Sequence, residues 1–393
     1  MRICKKNWFS FILGIGIVLP TVASSFMTTP ESSRYLDIEL PFRCSADQPS
    51  EGEKVASSIA LSERDFSVRL PNQSDELPRY HVNGFSFKNK TADVAVAELL
   101  EEAGIKVVAE KGTYPTLSAE NLRGEFKAVL EELMKLGNCF YTYHADEKTL
   151  YLSRKAKAVV QVPHNEMVMM AVLDALNGGR FNPIEADWEK YQIDLRLSRS
   201  ELERVQLLLA DLVKGKYILA TQIQLYSLDS DVSDVHWQSV VDALGKRDIS
   251  SIQNALVGQA IYLRSDVSEQ RFLNAAKKYF TPVALASGKA VVPNGWKTRF
   301  NFHQCVQSPI PSNDLSVFLR TSMKKKGMAQ TVLTLDSSKG EVASFDLDNN
   351  LNQKIVIVGI PVPKGSNPYL KQELMLTLQF HFIQLIKKGE QNG

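Results

Sequence analysis

Histidines, an acidic stretch and a basic run are the residue groups through which this chain could do chemistry. Six histidines are spread along the sequence, and no two stand at a spacing that would bring them together on one helix or strand. They are His81, His144, His164, His236, His303 and His381. A zinc site needs such spacing, because its ligands must meet around one ion. We therefore expect no metal site.

Three acidic residues stand close together at Glu185, Asp187 and Glu189, where two carboxylates could in principle share acid–base work. They surround the apolar Trp188 in a segment that is predicted to be a loop. A solvated surface explains acidic side chains around a loop better than a catalytic pair does. The stretch therefore predicts an exposed acidic loop.

A basic run of three lysines, Lys324, Lys325 and Lys326, stands between two predicted strands. A solvated turn is favoured over a hairpin tip that meets lipid phosphates or a charged partner. The sequence has no nucleophile elbow, phosphate-binding loop or dinucleotide fingerprint. These observations predict a protein that is not an enzyme and that needs no cofactor.

The cysteines that follow the first 24 residues are Cys44, Cys139 and Cys305. Their number is odd and their spacing wide, which fits neither a metal motif nor a dense disulfide framework. A Cys44–Cys139 disulfide is compatible with an oxidising compartment, and buried free thiols are the alternative.

The start of the chain has the pattern of a secretory signal peptide over residues 1–24. Arg2, Lys5 and Lys6 precede an apolar run over residues 8–19, and small residues follow it. About 12 residues at about 1.5 Å each span only about 18 Å, short of the roughly 30 Å hydrocarbon core, which disfavours a membrane anchor. We therefore expect an exported protein.

The charge of the mature chain is nearly balanced. Removing the three basic residues of the signal leaves 43 Lys and Arg against 44 Asp and Glu. This balance argues against a nucleic-acid partner recognised by bulk charge. No other segment approaches the length of apolar run that a membrane-spanning helix needs, and a strand-built barrel would give a weaker signal.

The elements that would position these residues fall into several segments. Residues 25–79 show no sustained period and predict an extended leader or linker. Residues 80–155 predict a small α+β domain with two helices against a sheet. Each helix shows apolar residues at helical spacing and ends near a glycine: Val96, Leu99, Leu100 and Ala103 before Gly104, and Phe126, Val129, Leu130 and Leu133 before Gly137.

Two further segments complete the chain. The pattern of residues 156–228 predicts two helices between strands. The last of these strands is expected to have one face exposed to solvent. Within residues 229–388 we predict short helices at 237–244 and 252–263, then strands joined by turns. The final strand, about 372–386, would span about 46 Å at about 3.3 Å per residue, against the 17 to 20 Å usual in globular sheets. Such length suggests a barrel wall, and an ordinary sandwich strand is the alternative.

One side of this final strand is apolar. It carries Leu374, Leu376, Leu378, Phe380 and Phe382, alternating with polar residues. We predict that these five residues form the wall and that Gly359 provides a bend before it. Their role would be structural rather than catalytic.

A set of features in residues 82–154 supports a family assignment. It comprises, in order, Phe85-Ser86-Phe87-Lys88-Asn89, the 96–103 helix, Gly104-Ile105, the 126–133 helix, Cys139-Phe140-Tyr141 and Leu150-Tyr151-Leu152. In order and spacing, this set resembles the short N-terminal domain shared by secretins and TonB-dependent receptors. Residues 157–228 resemble the ring-building domains that follow it in secretins. Residues 220–226, 290–295 and 355–361 are similar to segments of the secretin core.

The resemblance implies an outer-membrane secretin of a type IV pilus or type II-like secretion system. The implied fold class is α+β, with small periplasmic α/β ring-building domains followed by a mainly antiparallel β region that could form an oligomeric β-barrel. The implied partners are further copies in a homo-oligomeric ring, other secretion or pilus proteins, and the outer membrane. The chief alternative is a periplasmic accessory protein that docks through its N-terminal domain without forming a pore.

Overall fold

The computed structural model describes residues 39–44, 58–62, 64–71, 74–229, 237–301, 315–325, 328–337, 340–350, 353–361 and 373–387. The predicted signal peptide lies outside these ranges. The helices are α1 (Ala92–Glu101), α2 (Phe126–Leu136), α3 (Glu166–Gly178), α4 (Arg199–Lys214), α5 (Trp237–Leu244) and α6 (Glu269–Ala276). The strands are β1 (Glu39–Pro41), β2 (Arg43–Cys44), β3 (Ser58–Leu61), β4 (Ser67–Arg69), β5 (His81–Thr91), β6 (Lys106–Ala109), β7 (Thr116–Glu125), β8 (Phe140–His144), β9 (Thr149–Ser153), β10 (Ala156–Gln161), β11 (Glu185–Asp187), β12 (Gln192–Leu197), β13 (Tyr217–Asp229), β14 (Ile249–Asn254), β15 (Gln259–Leu263), β16 (Thr281–Pro293), β17 (Lys297–Asn301), β18 (Ser316–Lys325), β19 (Met328–Ser337), β20 (Gly340–Asn350), β21 (Lys354–Pro361) and β22 (Glu373–Lys387).

The N-terminal domain, residues 74–155, has a hydrophobic core of its own. Helices α1 and α2 pack against the β5–β7 ribbon, and a three-stranded sheet of order β6-β9-β8 completes the domain. Both helices lie where the apolar spacing predicted them. After α1, Gly104 has a φ of 64°, a left-handed conformation that glycine adopts without strain. Strand β7 was not predicted, because none of its side chains is buried and its apolar signal is weak.

The middle domain contains β10, β11, β12, α3 and α4, together with β4. Its sheet has the order β11-β12-β10-β4. Helix α3 begins after Asn165, whose side chain accepts a hydrogen bond from the Val168 N–H. Helix α4 begins with a capping box, in which the Ser198 and Glu201 side chains bond each other's backbone N–H groups. The predicted helices and the strands β10 and β12 are confirmed here.

The β domain consists of two sheets packed on each other. The large sheet has eight strands in the order β14-β15-β21-β22-β13-β16-β2, and β3 pairs with β22 beside this path. The small sheet has the order β1-β17-β18-β19-β20. One hydrophobic cluster fills the space between the sheets and continues to α3 and α4, while α5 and α6 cover part of the opposite face of the large sheet. Among the described residues no sheet closes on itself, and no helix is long and apolar enough to cross a bilayer.

The described parts of the segment predicted as an extended leader or linker, residues 25–79, are instead built into the domains. Residues 39–44 pair first with β17 of the small sheet and then with β16 of the large sheet, which joins the two sheets at one side. There Phe42 packs edge-on against Phe300, with ring centroids 5.0 Å apart. Strand β3 pairs with β22, and β4 pairs with β10. The prediction was wrong because strands of two to four residues are too short to show a period.

Two other predictions in the β domain are corrected. Residues 252–263 were predicted as a helix and form parts of the β14–β15 hairpin. A short apolar run such as residues 260–263 does not distinguish a buried strand from a buried helix. Strand β13, predicted as the end of the domain at 156–228, lies near the centre of the large sheet, between β22 and β16.

Candidate assembly surfaces

The large sheet has an uncovered stretch at each of its two edges within the described residues. At one edge, β14 pairs with β15 alone. At the other edge, β16 pairs with β2 at Gly288 and Lys289, so that residues 281–286 have no strand on their outer side among the described residues. Neither β14 nor residues 281–286 carry a charged side chain, and Pro282 is their one proline. Charges and prolines normally protect exposed edges, so these stretches are suited to pairing with another strand.

These two edges lie at the same height on the sheet. One row of directly opposed residues crosses six strands, running Ile252, Ile261, Val356, Thr377, Gln224 and Ser287. On the same edges, Ile252 and Val283 are 41% and 45% exposed. Strand directions alternate across the sheet, so β14 and β16 run in opposite directions. A second copy placed beside the first would therefore bring its β16 antiparallel to β14, with no shift along the strand direction.

The outward faces of both sheets are polar. On the small sheet one row runs Lys297, Arg320, Val332 and Asp346. On the part of the large sheet that α5 and α6 leave uncovered, one row runs Lys289, Gln222, Gln379 and Lys354. The apolar sides of the two sheets face each other. Neither outward face, among the described residues, therefore has the apolar band of a lipid-facing wall.

The predicted wall residues lie on β22, in the interior of the large sheet. Strand β22 covers nearly the predicted range. Four of the five wall residues are buried in the core between the sheets: Leu374, Leu376, Leu378 and Phe380. Phe382 is half-buried and lies with its ring centroid 5.9 Å from that of Tyr217. Their alternation therefore builds the interior of one subunit, and their role in an oligomeric wall stays a prediction.

Gly359, predicted to bend the chain before the last strand, lies at an irregularity in β21. Its φ is 71°, and the pairing of β21 with β22 shifts register between Ile357 and Ile360. A Cβ atom on Gly258 of the neighbouring hairpin would lie only 2.4 Å from the Val358 carbonyl oxygen. The two glycines thus allow the hairpin to approach β21 at this bulge.

Cys44 and Cys139, for which a disulfide was considered, are not bonded to each other. Cys139 is a buried free thiol whose Sγ donates to the Gly137 carbonyl at 2.9 Å. Burial, with the Asp93 carboxylate nearby, raises the pKa of this thiol to about 11. Cys44 is disulfide-bonded. The Cys44–Cys139 pairing is wrong because β2 belongs to the β domain, whereas Cys139 belongs to the core of the N-terminal domain.

The acidic stretch forms β11 and the turn that follows it. Asp187 Oδ1 accepts hydrogen bonds from the N–H groups of Glu189 and Lys190, and Asp187 Oδ2 accepts one from Lys190 Nζ at 2.8 Å. The bond from the Lys190 side chain lowers the pKa of Asp187, which favours its ionised form. Glu185 and Glu189 are exposed. The stretch is therefore an ordered acidic edge and turn.

Three other polar residues singled out in the sequence have local partners, while His236, His303, Cys305 and Lys326 lie outside the described residues. Lys324, on the β18–β19 hairpin, forms a salt bridge of 2.9 Å with Asp348. His144 and His164 pack against the rings of Tyr151 and Tyr191. In the described part of the chain, no three His, Cys, Asp or Glu side chains come together as a metal site would require.

A polar cluster that the sequence did not reveal lies between α6 and the large sheet. Glu269 Oε1 accepts hydrogen bonds from the hydroxyls of Tyr226, at 2.7 Å, and Thr377, at 2.9 Å. Burial, followed by the charge of Glu269, raises the pKa of Tyr226. These residues lie far apart in the chain, so no local sequence pattern could have predicted the cluster. It fastens α6 to the sheet.

The N-terminal and middle domains meet through polar contacts. Arg199 Nη2 donates to Glu131 Oε2 at 2.8 Å, and Arg196 Nη2 donates to Glu110 Oε1 at 2.9 Å. The N–H of Ser200 donates to the Asn138 side chain at 2.8 Å. The hydrophobic clusters of the two domains are separate. Hydrogen bonds and ion pairs therefore make a major contribution to this joint.

Comparisons with known proteins give a distant structural link to secretins. No family model matches the chain, and no curated protein matches it. Among solved structures, the type IV competence pilus secretin PilQ of V. cholerae is 9% identical, with a TM-score of 0.16 and coverage of 76% of this chain and 99% of that chain. The type II secretin XcpQ of Pseudomonas aeruginosa is 12% identical, with a TM-score of 0.17 and coverage of 77% and 92%.

Proposed function

We propose that this chain is a secretin-like subunit of an outer-membrane channel for protein secretion or type IV pilus export. Copies would stand side by side in a ring, with the N-terminal and middle domains in the periplasm and the β domains forming the wall. The observation that carries this proposal is the pair of uncharged edges of the large sheet that no described residue covers and that lie at one height.

Pairing of β14 with residues 281–286 of a neighbour would satisfy backbone groups that pair with no other strand among the described residues. The contact is heterologous, because two different edges meet, and such contacts build a ring when the rotation between copies closes. The uncovered polar row on the large sheet would then suit a water-filled lumen. The predicted signal peptide and the disulfide at Cys44 are in keeping with an exported protein in an oxidising compartment.

The test compares the purified wild-type chain with edge variants by gel electrophoresis in detergent and by electron microscopy. We expect large ring-shaped multimers of the wild type. Ile252→Lys and Val283→Lys should each prevent them, since a charge at an edge opposes strand pairing. Val332→Lys is the matched control, because Val332 is 43% exposed but lies on an inner strand of the small sheet. A wild-type monomer of full mass would refute the proposal.

The alternative is a periplasmic accessory protein that docks on a secretion or pilus complex through its N-terminal domain. The separate core of that domain supports this reading, as does the lack of an apolar band on the described outward faces. In this case the protein would remain monomeric, and deletion of residues 74–155 would abolish its recovery with the secretion or pilus complex.

A further inference from the structure

The sheet of the middle domain ends in two edges of opposite charge. Its outer strands are β11 and β4, each of three residues. One row of directly opposed residues crosses the sheet, running Arg69, Val159, Asp194 and Glu185. Asp194, inside the row, is already paired with Lys157 at 2.5 Å. The row therefore ends in an exposed arginine on one edge and an exposed glutamate on the other.

The same two edges expose apolar side chains at matching positions. Leu70 follows Arg69 and is 41% exposed, while Ile184 precedes Glu185 and is 63% exposed. Strands β4 and β11 run in opposite directions, because each pair between them is antiparallel. Leu70 and Ile184 are therefore displaced to the same side of the charged row.

We propose that β4 of one copy pairs antiparallel with β11 of the next copy. This inference rests on the ring in the proposed function and identifies a second contact within it. When copies stand side by side at one height, Arg69 meets Glu185, Val68 meets Ala186, and Leu70 meets Ile184. The pairing joins opposite charges and covers two exposed aliphatic side chains.

A heterologous contact, in which β4 of one copy meets β11 of the next, fits these edges better than a symmetric contact between two identical edges. Pairing β11 with another β11 would bring its acidic residues together, and pairing β4 with β4 would leave Arg69 without an acidic partner. Only the heterologous pair is complementary, and it imposes one direction around the ring. The leader supplies β4, so this segment becomes part of the contact between subunits.

Charge exchange tests the contact in the full-length chain. Arg69→Glu or Glu185→Arg alone should lower the fraction of chain in rings, and the double variant should restore it. An exposed ion pair changes an association constant by up to about fivefold, and reversal of one charge adds repulsion. Lys277→Glu, the same charge change on the exposed end of α6, is the control and should leave the ring fraction unchanged. Failure of the double variant to recover, with intact wild-type rings, would overturn the contact.

Cysteine cross-linking provides a second readout that does not depend on ring stability. Directly opposed residues of an antiparallel pair lie within disulfide reach, so the Val68→Cys, Ala186→Cys double variant should yield a ladder of covalent multimers after oxidation. Each single variant should yield none. A covalent dimer from Ala186→Cys alone would instead identify a symmetric contact between two β11 strands. Rings without any ladder would refute this inference alone, whereas a wild type that forms no rings would refute the proposed function.

Discussion

Removing Arg196 and Arg199 together should release the N-terminal domain from the middle domain without unfolding either. Both arginines lie on the middle domain and donate to glutamates of the N-terminal domain, at 2.9 and 2.8 Å. Because the cluster of the N-terminal domain is separate from the one that the middle and β domains share, the loss of these bonds does not remove core packing. The double alanine variant should therefore affect the position of the domain and leave its folding intact.

The size of the effect follows from the exposure of the two ion pairs. The Arg199 side chain is 19% exposed and Glu131 is 38% exposed, which places this pair near the upper end of surface ion pairs, at about 1 kcal/mol. Arg196 is 59% exposed and contributes about 0.5 kcal/mol. Together they stabilise the docked state by about 1.5 kcal/mol, roughly a tenfold change in the ratio of docked to undocked molecules.

The assay is a distance distribution between labels on the N-terminal domain and on the β domain. We expect it to broaden in the double variant, and to broaden in the wild type at 1 M salt, where the Debye length falls to about 3 Å. Lys190→Ala, which removes a 2.8 Å ion pair inside the middle domain, is the control and should leave the distribution unchanged. An unchanged distribution in the double variant, even at 1 M salt, would refute the reasoning.

Iodoacetamide should label Cys139 only after denaturation, because this free thiol is buried, and Cys44 only after reduction, because it is disulfide-bonded. A disulfide-linked peptide that contains both residues would contradict the fold. Ser198→Ala should lower the free energy of unfolding of the middle domain by about 1 kcal/mol, since it removes half of a capping box, and a urea midpoint equal to wild type would argue against that role. Leu376→Asp should unfold the β domain because it places a carboxylate in the core, whereas Gln379→Asp should be tolerated on the polar face; equal melting temperatures would contradict this assignment.

The local elements were largely predictable from the sequence. The spacing of Val96, Leu99 and Leu100 identified α1, and the alternation along residues 372–386 identified β22. Such patterns can be recognised because one side of a helix or strand must be buried, and the spacing of the apolar residues indicates which side it is. The short helix α6 and the outward-facing strand β7 were missed, since each carries too little apolar signal over its length.

What the apolar side faces was decided only by the tertiary structure. The alternation on β22 is the same whether the strand faces lipid or a second sheet of its own chain, and the structure places Leu376 against the second sheet. The leader likewise carries no period, yet its short strands pair with partners far along the chain.

The sequence by itself determined most of the long helices and strands and which sides of them avoid water, because those properties depend on neighbouring residues. The tertiary structure decided which strands become edges, which cysteine is bonded, and that Arg69 and Glu185 end one row of one sheet. These properties depend on contacts between segments that are distant in the chain.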